Sequence, residues 1–528
     1  MLKYYSDKSA ALDAAMDICR AFSKVTHMVT KTSRFVITQR VIFKKKRGVS
    51  QRIDHPKDDF GIVLSTAGNY KPNKHIFIGG TRAMKRKFTL LLTICLIAAT
   101  LFSGCASQKG KLDAENPVTL TMWHVFGSQT ESPMNDMVDE FNDAIGKEKG
   151  IVINVTSVNN SSDIHDALLA AAHGDAGAGS MPDLFFCYPE TAKTIGADRL
   201  ADWNELFAEQ ELTEYVPAFL EEGTVDGKLL VFPVAKSSEA LFVNSTIFDR
   251  FAADTGVKYD DLATWDGLLE TGAKYYEWSG GKTFFMHDEL LNFCQINTKA
   301  LGGQAFTDDK LNFTDPVFKA QWDAVAKAAI SGELRVEDNY ETVCMMTGDI
   351  VAGVGSTASI MYFQDIVTYP DNTTEPLNIR ALPCPVATGG TKMAMQQGAG
   401  LSAVKGDAQK EAAALVFAKW ITTGETNLRF VTQSGYMPVK NDAFAAIENY
   451  AFEKESYRSL YNAMKTMRDS YQFYLPPVVD GYYDILWAFY DNSIAILNDC
   501  RSKYADGKGT FGELIAESYT RLEREMTQ

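Results

Sequence analysis

Between Val118 and Phe186 the apolar positions alternate between two rhythms. Val118-Thr119-Leu120-Thr121-Met122-Trp123 has the period of a strand, whereas Pro133 to Ile145 sets Met134, Met137, Val138, Phe141 and Ile145 at helical spacing. Ile151 to Val155 is a short β-branched run. Asp163 to His173 reads as an alanine-rich helix, closed by a Gly-rich loop through Gly179. Pro182-Asp183-Leu184-Phe185-Phe186 opens a third strand. Strand, helix, strand, helix, strand predicts a parallel sheet covered by helices. From Gly223 the rhythm changes. Asp226-Gly227-Lys228 predicts a hairpin turn, and Leu229 to Asn244 reads as extended chain interrupted by Pro233 and Ser237-Ser238. Helices are predicted around 244–255, 265–278, 315–331, 408–423 and 453–466, with a late strand at Gly400 to Val404. Residues 105–528 are long enough for two domains.

A different pattern precedes the fold. Lys85, Arg86 and Lys87 lead into an uncharged run from Phe88 to Phe102 that ends Leu101-Phe102-Ser103-Gly104-Cys105. A basic start, a short apolar centre and small residues at the end predict a secretory signal over 84–104. The ending resembles a bacterial lipobox, in which Cys105 is lipidated and becomes the mature N-terminus, with 105–116 as a flexible lipidated tether. Residues 1–83 carry 16 Lys and Arg against 6 Asp and Glu, whereas 106–528 carry 33 against 61. A basic arm for nucleic acid or a membrane is one meaning of that asymmetry. The reading preferred here is that translation starts at Met84 and 1–83 is upstream sequence. The acidic remainder argues against nucleic acid as a partner. Five cysteines remain after the lipid site (Cys187, Cys294, Cys344, Cys384 and Cys500), an odd and scattered set that suits buried apolar positions better than a disulfide framework.

The mature chain resembles the extracellular solute-binding proteins of family 1, receptors of bacterial ABC importers for sugars and glycerol phosphates. The motifs that carry the likeness run in order through 117–528. They are Leu120-Thr121-Met122-Trp123-His124, Pro182-Asp183-Leu184, Asp226-Gly227-Lys228 with Pro233, the pair Ser237-Ser238 before Phe242-Val243-Asn244, Thr264-Trp265, and Gly435-Tyr436-Met437-Pro438. The resemblance implies an α/β, two-lobe, periplasmic-binding-protein-like fold with the ligand cleft between the lobes. Lobe 1 is expected over 117–228 plus about 364–407, and lobe 2, mainly helical, over 229–363 plus about 408–528. It implies a non-catalytic receptor that closes on a carbohydrate, expected to be a neutral oligosaccharide, and hands it to the permease subunits of an ABC transporter. The protein would sit on the extracytoplasmic face of the membrane through its lipid anchor, and nothing in the chain calls for a cofactor or metal.

A sugar presents hydroxyls and C–H faces, so its pocket needs aromatic rings beside short polar and acidic side chains. Trp123 and His124 end a predicted strand, where open α/β sheets bind ligands, although Trp123 fits the core equally well. Tyr188 and Glu190 follow the next such strand. Ser237 and Ser238 interrupt an apolar run, Trp265 opens a helix, and Ser356 follows two glycines. Gly398 flanks another opening, and Tyr436 lies between Gly435 and Met437-Pro438. Binding of a glycerol phosphate would need a basic residue near Tyr471 to Pro477, where only the preceding Arg468 is present.

Other signals fail. Gly353-Val354-Gly355-Ser356-Thr357-Ala358 fits a dinucleotide fingerprint without the βαβ unit it needs. His165 and His173 lack a third ligand at metal spacing, and His287-Asp288-Glu289-Leu290 mimics a retention signal but is internal. Two rivals from other classes remain. A glycoside hydrolase needs a defined carboxylate pair, for which Asp183, Glu190 and Glu239 are the acids on offer. A surface adhesin would show no small-molecule saturation.

Overall fold

The computed structural model describes residues 110–127, 132–158, 161–479 and 481–527. The basic extension over 1–83, the signal at 84–104 and Cys105 lie outside the described residues.

Nine strands build two sheets: β1 (Val118–His124), β2 (Ile151–Val158), β3 (Leu184–Cys187), β4 (Glu239–Asn244), β5 (Phe285–His287), β6 (Leu334–Arg335), β7 (Ala352–Ser356), β8 (Ile379–Pro383) and β9 (Gly400–Ala403). The first sheet has the order β9-β3-β1-β2, with β1 parallel to β2 and β3, and β9 antiparallel to β3. The second has the order β6-β5-β7-β4-β8; β5 runs parallel to β6 and β7, and β4 antiparallel to β7 and β8. β3 and β4 are buried at every residue. Strands covered on both faces read as continuous apolar runs, which is why Leu184-Phe185-Phe186-Cys187 shows no alternation.

Helices form where caps and periodicity agree. Asp315 accepts from the N–H groups of Val317 and Phe318 ahead of Pro316–Ser331, with Pro316 in the first turn. Thr264 Oγ1 accepts from Gly267 N–H to start Trp265–Trp278. The hairpin is present, Thr224–Val225 pairing with Lys228–Leu229, and Asp226 and Gly227 both take positive φ as a two-residue turn demands. Two further helices, Tyr482–Ala505 and Phe511–Thr527, close the chain's described part. They pack with Pro316–Ser331 in the second lobe.

The lobe boundaries differ from the expected ones. β8, expected in lobe 1, pairs with β4 in the second sheet, and helix Glu455–Ser470 packs on it. Helices Ala408–Ile421 and Gly424–Ser434, expected in lobe 2, pack against β1 and helix Pro133–Phe141 in the first. Periodicity marks an element but not the sheet it joins, and β8 is too short and mixed to declare its partner. The tether also differs. From Gly110 to Asn116 the chain lies on the first lobe, with Leu112 packed against the core and Lys111 C=O accepting from Gln409 Nε2 at 3.3 Å. All five cysteines are free and buried. Among the described residues, no helix is long and apolar enough to cross a membrane.

Candidate functional site

In open α/β sheets ligands bind beyond the strand ends and between lobes, so the segments that join the two sheets and the residues beside them are where a site is sought. Three segments cross. At the centre, Ser237 N–H donates to Gln397 C=O at 2.8 Å and Gln397 N–H returns to Ser237 C=O at 2.9 Å; beside them Lys236 N–H donates to Met437 C=O at 3.1 Å. The Lys236 ammonium lies 2.7 Å from the Glu222 carboxylate and 2.5 Å from Gly398 C=O, and Gln396 Nε2 donates to Glu222. Ser237 and Gly398, expected as ligand contacts, are thus placed in the backbone of the crossing.

On the first wall, Trp123 is half-buried, its Nε1–H donating to Thr156 Oγ1 at 2.9 Å. His124 is fully enclosed. Its Nδ1 accepts from Phe126 N–H at 3.2 Å and its Nε2 lies 2.9 Å from Asn135 Oδ1, the pattern of a neutral imidazole. Burial, opposed by the Asn135 bond, holds its pKa down to about 4. Tyr188 and the buried Glu190 sit at the start of helix Pro189–Ile195, directly beyond β3. Asp183 accepts from Thr121 and pairs with Lys410 at 2.6 Å, so it serves the sheet.

On the second wall, Ser238 is buried with its N–H on Thr357 Oγ1, and Ser356 caps the 3₁₀ turn Thr357–Tyr362. Trp265 stacks on His287 at 5.5 Å and meets Phe293 edge-on at 4.7 Å, which places it inside this lobe. Tyr436 is buried at the crossing, edge-on to Phe126 at 5.2 Å. Its hydroxyl pKa is driven up by burial and then by the neighbouring Tyr188 and Tyr362, which brings one residue from each wall to it.

Sequence reading missed several residues. Tyr483, on a second-lobe helix, lies 4.5 Å from the His165 ring and 6.2 Å from Tyr188, joining the lobes. Tyr340 and Tyr362 are 64% and 53% exposed, and Tyr340 lies near Asp288, Glu341 and Tyr362. The rejected retention-like tetrapeptide ends β5 and puts Asp288 and Glu289 at the strand terminus. The rejected dinucleotide fingerprint is β7. A Cβ at Gly353 would sit 2.5 Å from Glu341 Cβ, so its glycines admit helix Glu341–Met346 rather than a phosphate. No local signal marked these side chains, because β5 to β8 are short and contribute to the site from distant parts of the chain.

Residues 136–454 match the family model of bacterial extracellular solute-binding proteins. Solved structures share the fold. The cyclic α-maltosyl-1,6-maltose binding protein of Arthrobacter globiformis is 19% identical with a TM-score of 0.56, over 78% of this chain and 99% of its own. An ABC substrate-binding protein of Listeria monocytogenes, in complex with cycloalternan, is 17% identical with a TM-score of 0.59, over 78% and 100%. A Mycobacterium tuberculosis protein in complex with glycerophosphocholine is also 17% identical, with a TM-score of 0.56 over 78% and 99%.

Proposed function

The chain belongs to the bacterial extracellular solute-binding proteins, and from that premise we propose that it is the carbohydrate receptor of an ABC importer, held to the membrane by lipid at Cys105. The observation that carries this reading is a cluster of aromatic rings and an acid drawn from both lobes beside the crossing segments: Tyr436 has Tyr188 and Tyr362 beside it, and Tyr483 lies against Tyr188 and near Glu190. Rings stack on sugar C–H faces while carboxylates accept from hydroxyls. Two of the similar structures are described as binding, or are complexed with, cyclic oligosaccharides. A phosphorylated ligand is disfavoured because Arg468 pairs with Asp469 at 2.7 Å and lies over the Phe444 ring. Lobe closure about the crossing buries the ligand and presents the closed form to the permease. The lipid raises the effective concentration of receptor at that permease.

A thermal-shift screen of sugars, polyols and their phosphates tests the reading, because a ligand that binds only the native state raises the melting temperature. Saturable stabilisation by an oligosaccharide without its turnover is expected. Hydrolysis of the sugar that is abolished by Glu190→Gln would replace the receptor with an enzyme, and silence toward every small molecule would leave an adhesin. Mass spectrometry of the N-terminal peptide should find acylated Cys105, and an unmodified peptide spanning Cys105 would rule the anchor out.

A further inference from the structure

Strand register gathers an unusual set of groups on one face of the second sheet. β7 and β4 pair Gly355 with Ala240, and β7 and β5 pair Gly353 with Met286. Side chains alternate along a strand, so Ser238 shares the face of Ala240 and Gly355, and Asp288 shares that of Met286 and Gly353. Glu341, at the start of helix Glu341–Met346, lies over the same face: a Cβ at Gly355 would be 2.5 Å from Glu341 Oε1 and 2.8 Å from Asp288 Oδ2. Glycine at 355 is therefore what lets two carboxyl groups rest on the strand end.

Among the described residues no cation pairs with either carboxyl group. Glu341 is fully enclosed and neither of its carboxylate oxygens accepts from an N–H or hydroxyl donor among the described residues; its neighbour is the Asp288 carboxyl, near enough to share a proton, and burial followed by that carboxyl holds the Asp288 pKa well above the usual carboxylate range. Ser238, equally enclosed, has an unpartnered Oγ. Glu341 N–H donates to Asp288 Oδ1 at 2.8 Å. Arg335 pairs with Glu337 and Asp349, and Lys236 with Glu222. Among the described residues no three His, Cys, Asp or Glu side chains come together to hold a metal. Asp288 is half-buried, and the exposed Tyr340 lies near it, Glu341 and the likewise exposed Tyr362. A carboxyl pair that shares one proton still carries one negative charge, which is costly to bury without a cation, and a cation beside tyrosine faces gains from their quadrupoles.

We propose that Asp288, Glu341 and Ser238 form a subsite for a protonated amine on the ligand, rimmed by Tyr340 and Tyr362, so that the receptor prefers an amino sugar to its neutral counterpart. This rests on the carbohydrate reading and sharpens its ligand class, in place of the neutral oligosaccharide expected from sequence. The ammonium supplies three donors, enough for both carboxylates and the serine oxygen.

The test uses the full chain with three probes: the β-1,4 trimer of glucosamine, its fully N-acetylated form and maltotriose, each titrated by calorimetry. The glucosamine trimer should bind about tenfold to a hundredfold more tightly than the acetylated one, the difference expected of charge-assisted hydrogen bonds. Asp288→Asn and Glu341→Gln should each erase that preference. Ser238→Ala should weaken it, which covers the case in which either acid substitution prevents folding, and unliganded melting temperatures report folding for all three. Equal binding of acetylated and free amine, or a preference that survives in Glu341→Gln, overturns the subsite while leaving the carbohydrate receptor standing. Silence toward all three probes and the wider saccharide screen would remove both.

Discussion

The ammonium of Lys236 lies 2.7 Å from the carboxylate of Glu222, with the two side chains only 4% and 9% exposed. Lys236 belongs to the first crossing segment, Glu222 ends a helix of the first lobe, and the same ammonium reaches Gly398 C=O in the second crossing segment. One buried charge pair therefore ties the pivot to one lobe. Removing a single partner strands the other charge, which costs about 3–5 kcal/mol. Lys236→Met and Glu222→Gln should each lower the free energy of unfolding by that order in urea titrations. The double variant Lys236→Met with Glu222→Met should cost clearly less than the sum of the two Met singles. Additive losses would show that the pair does not act as a unit.

Gly398 governs how closely the crossing segments approach. Its φ is +102°, and a Cβ there would lie 3.0 Å from Ala235 C=O and Ser237 N. Neither the backbone angle nor the space admits a side chain. Gly398→Ala is expected to destabilise the fold by about 1–3 kcal/mol and to reduce the ligand-induced compaction seen by small-angle scattering. Parent-like stability and compaction would show that the segments have slack.

How much of this could be read beforehand follows from the range of the forces involved. Helix Trp265–Trp278, the hairpin at Asp226-Gly227 and β1 to β3 were legible because caps, turn residues and local periodicity specify them within a few positions. The lobe membership of β8 was not, because it depends on pairing with β4 more than a hundred residues earlier. The site was legible to the same degree. Tyr188 and Glu190 follow from a strand ending, whereas Tyr483 reaches His165 only through the packing of a distant helix. In the sequence Ser237-Ser238 is a polar interruption of an apolar run. The structure gives Ser237 to the crossing and turns Ser238 onto the face shared with Asp288.

Trp265 separates packing from recognition. It is 7% exposed, stacked on His287 and edge-on to Phe293. Truncation to alanine should cost about 3–5 kcal/mol, as for other large core aromatics, while Trp265→Phe should retain most of the stability. With Trp265→Phe folded, oligosaccharide affinity close to the parent would assign the ring to the lobe interior. A large loss of affinity at unchanged melting temperature would return it to the ligand wall.

Glu239 should make stability depend on pH in a direction unusual for a carboxylate. Burial pushes its pKa from 4.5 up to about 7, opposed only in part by the hydrogen bond from Asn292 Nδ2 at 2.7 Å. The folded state then holds a proton that the unfolded chain releases. The stability linked to this group is fully present below about 4.5 and is lost as pH rises to about 7, a change of roughly 3 kcal/mol. His124 and His287 act in the opposite direction. Burial holds their pKa values down to about 4 and about 3, so their contribution is present above about 6.5 and is lost as pH falls. The parent curve mixes these trends, but the difference between Glu239→Gln and parent isolates the carboxylate, since glutamine keeps an oxygen for Asn292 and does not titrate. Urea unfolding at pH 4, 5, 6, 7 and 8 should show that difference rising in favour of Glu239→Gln up to about pH 7 and then levelling. A difference that stays flat across the range would mean that Glu239 ionises in the fold as it does in water.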